Sequence, residues 1–487
     1  MFEPSLEDMT KMDVTGYRYI PLRKEIYSDF FTPIMVLKKL RSITDHCFIL
    51  ESNEHSNQWG QYSFIGFHPK HEITCNNYRL TFDGFDEGRK DPTKYIRQFM
   101  NHHKSMKLAH FPTLTGGLVG FFSYDYAKYH EKALKLVEKD DTHFKDVDLM
   151  FFDEIICFDH YKQKISIIVN VETDNIEEDY HKKCERILEI ENIIKYTEMK
   201  FEEPLRLKSA FTPQFSREEY CAKVEIVKKH IIEGDIFQAV LANRLEAKCS
   251  GSLLDTYRIL RTTNPSPYMF YFHSQTLEVA GASPETMVKL EDGIVSSFPI
   301  AGTRPRGRND EEDERLIEDL LKDEKELAEH NMLVDLGRND LGSISEIGSV
   351  NVDSYKEVLK FSKVIHIASK VSGKLTKDRD ALDALEHTLP AGTLSGAPKI
   401  RAVNIISELE GVKRGIYGGA IGYLDLTGNM DTCIGIRLAY KKASKLYVCS
   451  GAGIVADSVG NNEYQECFNK AAAVIEALKE ANGGIDV

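Results

Sequence analysis

The sequence predicts a globular protein of the mixed α/β class, of the α+β kind, on three observations. Apolar residues make up 42% of the 487 positions and are spread along the whole chain, enough for a large core. Short runs alternate with period two and are joined by hairpin signals. Longer stretches carry capping-box signatures, a hydroxyl or carboxylate followed three residues on by glutamate.

Taken in order, residues 1 to 200 mix strand patterns with charged loops. HCFILES at 46 to 52, YSFIGF at 62 to 67 and DEIICFDHYKQKISIIVNV at 153 to 171 are the clearest, the last reading as a hairpin. EEDYHKKCERILEIENIIK at 177 to 195 reads as a charged helix. Periodicity is lost and prolines gather around FEEPLRLKSAFTPQFS, 201 to 216, which places the main boundary there. A helix then starts: Ser216 and Glu219 form a capping box and Phe215 is placed to staple against Tyr220. Val224, Val227 and Ile231 continue its apolar face, and Gly234 is a natural stop. DIFQAVLANRLEAK follows as a strand with Gln238 and Arg244 on one face, a candidate site wall.

Asp292-Gly293 between two strand-like runs predicts a tight hairpin whose second strand delivers FPIAGTRPRG, residues 298 to 307. That stretch holds two arginines around a bare Ala301, with no acidic partner inside it. Residues 310 to 338 read as two helices broken near Asp323, which with Glu326 offers a second capping box. The remainder alternates strands and helices and ends in a helix near 461 to 480. Length alone suits about three domain-sized units, or one architecture of two merged lobes.

The net charge of −14, without any long basic run, argues against nonspecific nucleic-acid binding; an anionic substrate needs a local basic pocket instead. Nine cysteines without a Cys-x-x-Cys pair suggest a reduced compartment. The start, MFEPSLEDMTKMD, fits no signal or transit peptide, and no apolar run approaches the roughly 18 residues a membrane span needs. The expectation is a cytoplasmic protein.

Two helical stretches repeat one spacing: Glu326 and Glu329 in EKELAEH, Glu463 and Glu466 in NNEYQE. Residues three apart share a helix face, so each pair presents two carboxylates to one point. If the helices converge, four carboxylates repel one another without a cation, and an all-oxygen set suits Mg²⁺. The ordinary alternative is a solvated acidic face. Three glycine-rich loops, AGTRPRG at 301 to 307, AGTLSGAPK at 391 to 399 and GAG at 451 to 453, offer backbone N–H groups and threonine hydroxyls to an anion. Arg437 in DTCIGIR and Lys470, one turn beyond Glu466, add charges that bind a carboxylate. His366, in an alternating strand, and Glu285, in GASPETM, are proton-transfer candidates, against the plainer readings of a half-buried histidine and a loop carboxylate. No P-loop, dinucleotide fingerprint or nucleophile elbow occurs.

GDIFQAVLANR, GASPE, PIAGTRPRG, EHNMLVDLGRNDLG, LPAGTLSGAPKIRA, YGGAIGY, DTCIGIR and GAGIVADS follow one another through most of residues 210 to 480. In this order they resemble the chorismate-utilising enzymes, most closely the large subunits of anthranilate synthases. LES at 50 to 52 and YSFIG at 62 to 66 extend the likeness thinly toward the N-terminus. The resemblance implies two stacked antiparallel sheets with helices outside, and an N-terminal region, 1 to 200, wrapped against a catalytic domain, 210 to 487. It implies Glu329 and Glu466 as direct Mg²⁺ ligands, with Glu326 and Glu463 supporting through bound water. Gly302, Thr303, Thr393, Tyr417, Arg437, Gly451, Ala452, Gly453 and Lys470 are then expected around chorismate. Glu285 is the expected acid for departure of the ring 4-hydroxyl, His366 serves elimination of pyruvate, and Thr303 and Gln238 complete the catalytic group.

Similar enzymes that make aminodeoxychorismate usually carry a lysine, taken as a nucleophile, where this chain has Ala301. Isochorismate-forming relatives carry a lysine base where it has Gln238, and an amide cannot act as a base. The resemblance therefore implies ammonia as nucleophile and anthranilate plus pyruvate as products. It further implies a separate glutamine amidotransferase subunit, because no glutaminase-like cysteine elbow is present. Feedback by tryptophan is implied at Glu51, Ser52, Pro267, Tyr268, Met269, Ile421 and Tyr423. Gln61 and Ser343 stand where the family often has arginine. The alternatives are an aminodeoxychorismate or isochorismate synthase, or a noncatalytic ligand-binding relative.

Overall fold

The strand Lys164–Glu172 shows why the sheets must be covered on both faces. Its Ile165, Ile167, Val169 and Val171 belong to one apolar cluster, and Ile168, pointing the other way, to a second. The same division recurs in Glu154–Asp159, where Ile156 and Phe158 oppose Ile155 and Cys157. A run with no polar face is stable only between two layers. The computed structural model, which describes residues 1–52, 60–137, 139–200, 202–360 and 364–486, supplies them.

Two large sheets, of 14 and 12 strands among the described residues, stack face to face, and the strand pairings within them are antiparallel. Phe48, Phe64, Phe152, Phe270, Tyr423 and Tyr440 fill the space between them. Helices close the outsides. Pro33–Arg41, Ile176–Tyr196, Leu254–Thr263 and Gly460–Glu480 cover the first sheet, and Pro92–His102, Glu324–Gly342 and Ala381–Thr388 the second. The N-terminal and C-terminal halves share both sheets. Cys47–Glu51 pairs with Tyr268–His273 in one, and Gly117–Phe122 with Ala420–Asp425 in the other. The proline-rich stretch at 201 to 216 thus joins halves that complete each other's sheets.

Local signals act as their chemistry predicts. Ser216 caps Arg217–Ile232 with both bonds of the box, and Gly234 follows it at φ +82°. Asp292 and Gly293, at φ +55° and +78°, make the two-residue turn between Thr286–Glu291 and Ile294–Ser297. The second expected capping box is only half formed. Asp323 accepts from the Lys325 and Glu326 amides, but its own N–H already donates to Leu320 O at the end of Asp310–Lys322. The Glu326 carboxylate is therefore not drawn into a cap.

One ion pair inside the fold was not foreseen. Arg414 Nε donates to Glu410 Oε2 (2.8 Å) and Nη2 to Oε1 (2.5 Å), with side chains 3% and 5% exposed. The remaining donors reach Leu394 O and Val240 O, both at 2.6 Å, and Glu410 Oε1 also accepts from Ala242 N. The guanidinium lies over the Tyr124 and Tyr417 rings. Removing one partner leaves the other charge buried and unpaired, so Glu410→Ala is expected to lower unfolding stability by about 3–5 kcal/mol in urea titration. Glu410→Gln, which keeps the shape and one acceptor, is expected to lose less; equal stability of Glu410→Ala and the parent chain would contradict this account.

Candidate functional site

The cleft lies where the ends of several strands meet the two glutamate-bearing helices, and its volume is about 640 Å³. That is room for a ring substrate with side groups. Gln238 and Val240 enter it from the strand Gln238–Ser250, Ala301 to Thr303 from Ile300–Pro305, and His366 from Val364–Lys374. Arg244, expected on the same wall, lies farther along and is bound instead to Asp141.

Two of the three expected loops are strands. Residues 300 to 305 pair with Val364–Lys374, with an irregularity at Gly302, whose φ of +70° suits glycine alone. The arginines of this stretch do not face an anion. Arg304 pairs with Asp319 (2.7 Å) and Asp323 (2.8 Å), and Arg306 with Asp313 (2.6 Å), acids of the following helix and its end. GAG at 451 to 453 is likewise inside the strand Lys445–Ile454. A Cβ on Gly453 would stand 2.8 Å from the Gln238 amide nitrogen, and one on Gly451 3.0 Å from the Tyr417 hydroxyl, so bare backbone is what lets these side chains approach. The Ala452 methyl turns into the apolar cluster with Tyr220 and Leu241, leaving only its backbone near the cleft.

Glu285 sits between the strands Glu278–Ser283 and Thr286–Glu291. Burial pushes its carboxyl up to about 7, opposed by the Thr393 hydroxyl bonded to it at 2.9 Å and by the Lys470 charge. It is a carboxylic acid poised to donate near neutral pH. His366 Nδ1 donates to Gly302 O at 2.9 Å and lies 3.1 Å from Thr303 Oγ1. A carbonyl only accepts, so the proton is on Nδ1 and Nε2 is the acceptor nitrogen. Burial, helped by Arg437, lowers its basicity and favours the neutral ring, while the Gly302 bond opposes that shift.

Both glutamate pairs line this one cleft, Glu326 and Glu329 from Glu324–Gly342, Glu463 and Glu466 from Gly460–Glu480. Burial raises the affinity of Glu326 for its proton, with Glu329 adding to it, and burial does the same for Glu463. Among the described residues no three of these carboxylates place oxygens within 4.8 Å of one another; the trio that does so is His230, Glu233 and Asp235, elsewhere on the molecule. With Glu285 and Asp457 the cleft holds six carboxylates against three cations, Lys325, Arg437 and Lys470. Lys470 bonds Glu466 Oε1 (2.6 Å) and Gly451 O (3.2 Å). Arg437, at φ +52°, donates to Lys470 O and has no carboxylate within ion-pair distance among the described residues. Even with Glu285 protonated, the cleft stays acidic, and its all-oxygen donors fit Mg²⁺.

Sequence reading missed Lys325 and Asp457 in the lining, and Arg414 behind it. Lys325 stood inside the quoted glutamate motif, and Glu410 and Arg414 at i and i+4 flank the helix end at Gly411, a signal that an ordinary surface pair also gives.

The residues expected for feedback divide between the outer face of the first sheet and the space between the two sheets. Glu51 and Met269 are paired across strands and face the outer helices, where Glu51 accepts from Tyr257 (2.5 Å), Ser63 (2.9 Å) and Arg261 (2.8 Å). Tyr268, Ile421 and Tyr423 face the inter-sheet core, with Tyr268 Oη donating to Asp431 (2.8 Å). Ser52 Oγ is buried with no hydrogen-bond partner among the described residues, and Pro267 adjoins Tyr268.

Residues 45–476 match the family model for chorismate binding enzymes. Anthranilate synthase component 1 of Acetivibrio thermocellus is 43% identical over 99% of both chains, and that of Pseudomonas aeruginosa is 41% identical over 99% of both. The crystal structure of anthranilate synthase component I from Streptococcus pneumoniae superposes with a TM-score of 0.77 at 39% identity, covering 92% of this chain and 98% of that one. The menaquinone-specific isochorismate synthase of Escherichia coli, with a TM-score of 0.70 at 18% identity over 97% and 98%, shares the fold. The chain belongs to the chorismate binding enzyme family.

Proposed function

We propose that this protein is the large subunit of an anthranilate synthase, converting chorismate and ammonia to anthranilate and pyruvate. The observation that carries the reading is the pairing of a neutral acid, Glu285, with two walls that offer neither nucleophile nor base, Ala301 and Gln238. The nucleophile must then come from outside, and free ammonia needs no deprotonation. Full-length similarity to chains named anthranilate synthase component 1 supports the same reading.

Arg437 and Lys470, with the backbone of Gly302 and Gly451 to Gly453, bind the substrate carboxylates. Thr393 and Tyr417 orient the ring, and Thr393 also orients Glu285. Glu285 gives its proton to the 4-hydroxyl as ammonia bonds at C2, so that water rather than hydroxide leaves. His366, neutral and fixed by Gly302, accepts a proton through Nε2 as pyruvate is eliminated, with Thr303 beside it. Glu329 and Glu466 would hold Mg²⁺ directly and Glu326 and Glu463 through water; bound there, the ion neutralises a substrate carboxylate that this acidic cleft would otherwise repel.

The designation component 1 supports a second component in the relatives, and we assign that place to a glutamine amidotransferase that supplies ammonia directly. Among the described residues no helix is long and apolar enough to cross a membrane, and the nine cysteines are free thiols, which suits work in the cytoplasm. Tryptophan feedback at Glu51, Ser52, Pro267, Tyr268, Met269, Ile421 and Tyr423 completes the proposal. The buried Ser52 hydroxyl lacks a partner among the described residues, and Glu51 is an acid that an amino group could meet.

The deciding experiment incubates the purified chain with chorismate and an ammonium salt, following fluorescence and mass. Anthranilate and pyruvate are expected, only with Mg²⁺, and glutamine is expected to replace ammonium only once an amidotransferase partner is added. An aminated product that keeps its pyruvyl group, or isochorismate, would overturn the reading of Ala301 and Gln238.

The acid has its own pH signature. Only protonated Glu285 donates, and its carboxyl titrates near about 7, so kcat/KM per unit of unprotonated ammonia is expected to fall as pH rises through that value. Glu285→Gln is expected to lose roughly 10²- to 10⁴-fold in kcat and with it this limb of the profile; a variant that keeps the limb would assign it elsewhere.

Tryptophan is expected to inhibit in steady-state titration, and Ser52→Ala to weaken that inhibition while kcat stays unchanged. Absence of inhibition at millimolar tryptophan would remove the regulatory site.

A further inference from the structure

A second cavity adjoins the catalytic cleft. Its volume is about 60 Å³, enough for a few water molecules and too small for a ring substrate. Glu285, Leu333 and Thr393 line both spaces, so the acid stands at their junction. The cavity continues the cleft along one face of Glu324–Gly342. Glu326, Glu329 and Leu333 line the cleft, and Leu333, Leu336, Gly337 and Asp340 the cavity, at helical spacings of three and four.

The lining is built to hold something polar. Ser297 Oγ is buried there without a hydrogen-bond partner among the described residues, a state that a bound water relieves. Asp340, its side chain 19% exposed, also lines the cavity and is held by Lys399 Nζ at 3.0 Å and 3.1 Å. It joins the interior to solvent. Gly337 keeps the space open in mid-helix, since a Cβ at that position would stand 2.9 Å from Ser297 Oγ.

We propose that this cavity is a water-binding site that returns a proton to Glu285 after the acid step, a role resting on the reaction proposed above. In that step the Glu285 O–H bond breaks and its proton passes to the 4-hydroxyl oxygen. The C4–O bond breaks, its electron pair leaving with water, while the ammonia lone pair forms the bond at C2. The new ammonium group gives up one proton to solvent, and Glu285, left as a carboxylate, regains one. That proton arrives through cavity water from the Asp340 side, so no net proton is consumed. Glu285 lines both spaces, so the cavity offers it a proton while the cleft side is still occupied, before product release.

The test uses the full chain with chorismate and ammonium. Gly337→Ala fills the cavity with a residue that favours the helix, and Ser297→Ala removes the water's anchor; neither residue lines the cleft. Both are expected to lose about tenfold in kcat, to enlarge the solvent deuterium isotope effect, and to leave KM for chorismate unchanged. A crystal structure of the parent chain is expected to hold ordered water on Ser297 Oγ. A dry cavity, or two variants with the parent kcat and isotope effect, would overturn the proposal while leaving the reaction standing. Failure of the parent chain to form anthranilate would overturn the reaction and this role together.

Discussion

The catalytic cleft depends on the buried bond between Glu410 and Arg414. Three of its walls come from distant parts of the chain: the Val240 strand, the Thr393–Leu394 turn and Tyr417. Arg414 reaches all three, donating to Val240 O and Leu394 O and lying over the Tyr417 ring, while Glu410 ties the same strand through Ala242 N. A planar guanidinium with five fixed donors suits this task, and a lysine could not serve so many acceptors in one plane. A hydrophobic pair of equal volume would fill the space without fixing the register of the walls. Thr393, one residue before Leu394, bonds Glu285, so the position of the acid is inherited from this ion pair.

The second constraint is electrostatic. A cleft with six carboxylates and three cations is a poor host for an anion until some of its negative charge is removed. The carboxylates lie in two different environments. Glu285 is deeply buried, with only a hydroxyl bonded to it, and burial keeps it protonated near neutrality. The two helical pairs are more open, as with Glu466 at 43% side-chain exposure, and can share a divalent cation. One residue type thus gives a buried, protonated carboxyl in one place and open carboxylate oxygens in another, and environment decides which.

Much of this was legible in the sequence, and the exceptions share a cause. The Asp292-Gly293 turn, the Ser216 box and the i, i+3 glutamate pairs are local, set by residues a few positions apart, and local chemistry suffices to place them. The motif order carried the family and hence the stacked sheets, which periodicity could not order. What stayed hidden was long-range. Arg304 and Arg306 looked unpartnered because their acids lie in the helix that follows, and GAG looked like a loop because glycine pairs well in a strand facing a crowded wall. The half-formed box at Asp323 failed because the preceding helix had already taken the N–H that Glu326 would have capped.

That failure explains how Ala301 is held in place. A methyl group offers no polar anchor, so the strand carrying Ala301, Gly302 and Thr303 must be fixed by its neighbours. Val364–Lys374 holds one edge through the backbone and brings His366 beside Thr303. Arg304 holds the end, bonding Asp319 and Asp323. Asp323 in turn accepts from the Lys325 and Glu326 amides, so one carboxylate joins the nucleophile-free strand to the start of the helix bearing Glu326 and Glu329. Arg304 and the Glu326 amide hold that carboxylate below the usual range, which favours its charged form. A displacement at the start of this helix would be transmitted through Asp323 and Arg304 to the strand carrying Ala301. Arg304, in a nominally cationic stretch, thus has a use that needs no contact with substrate.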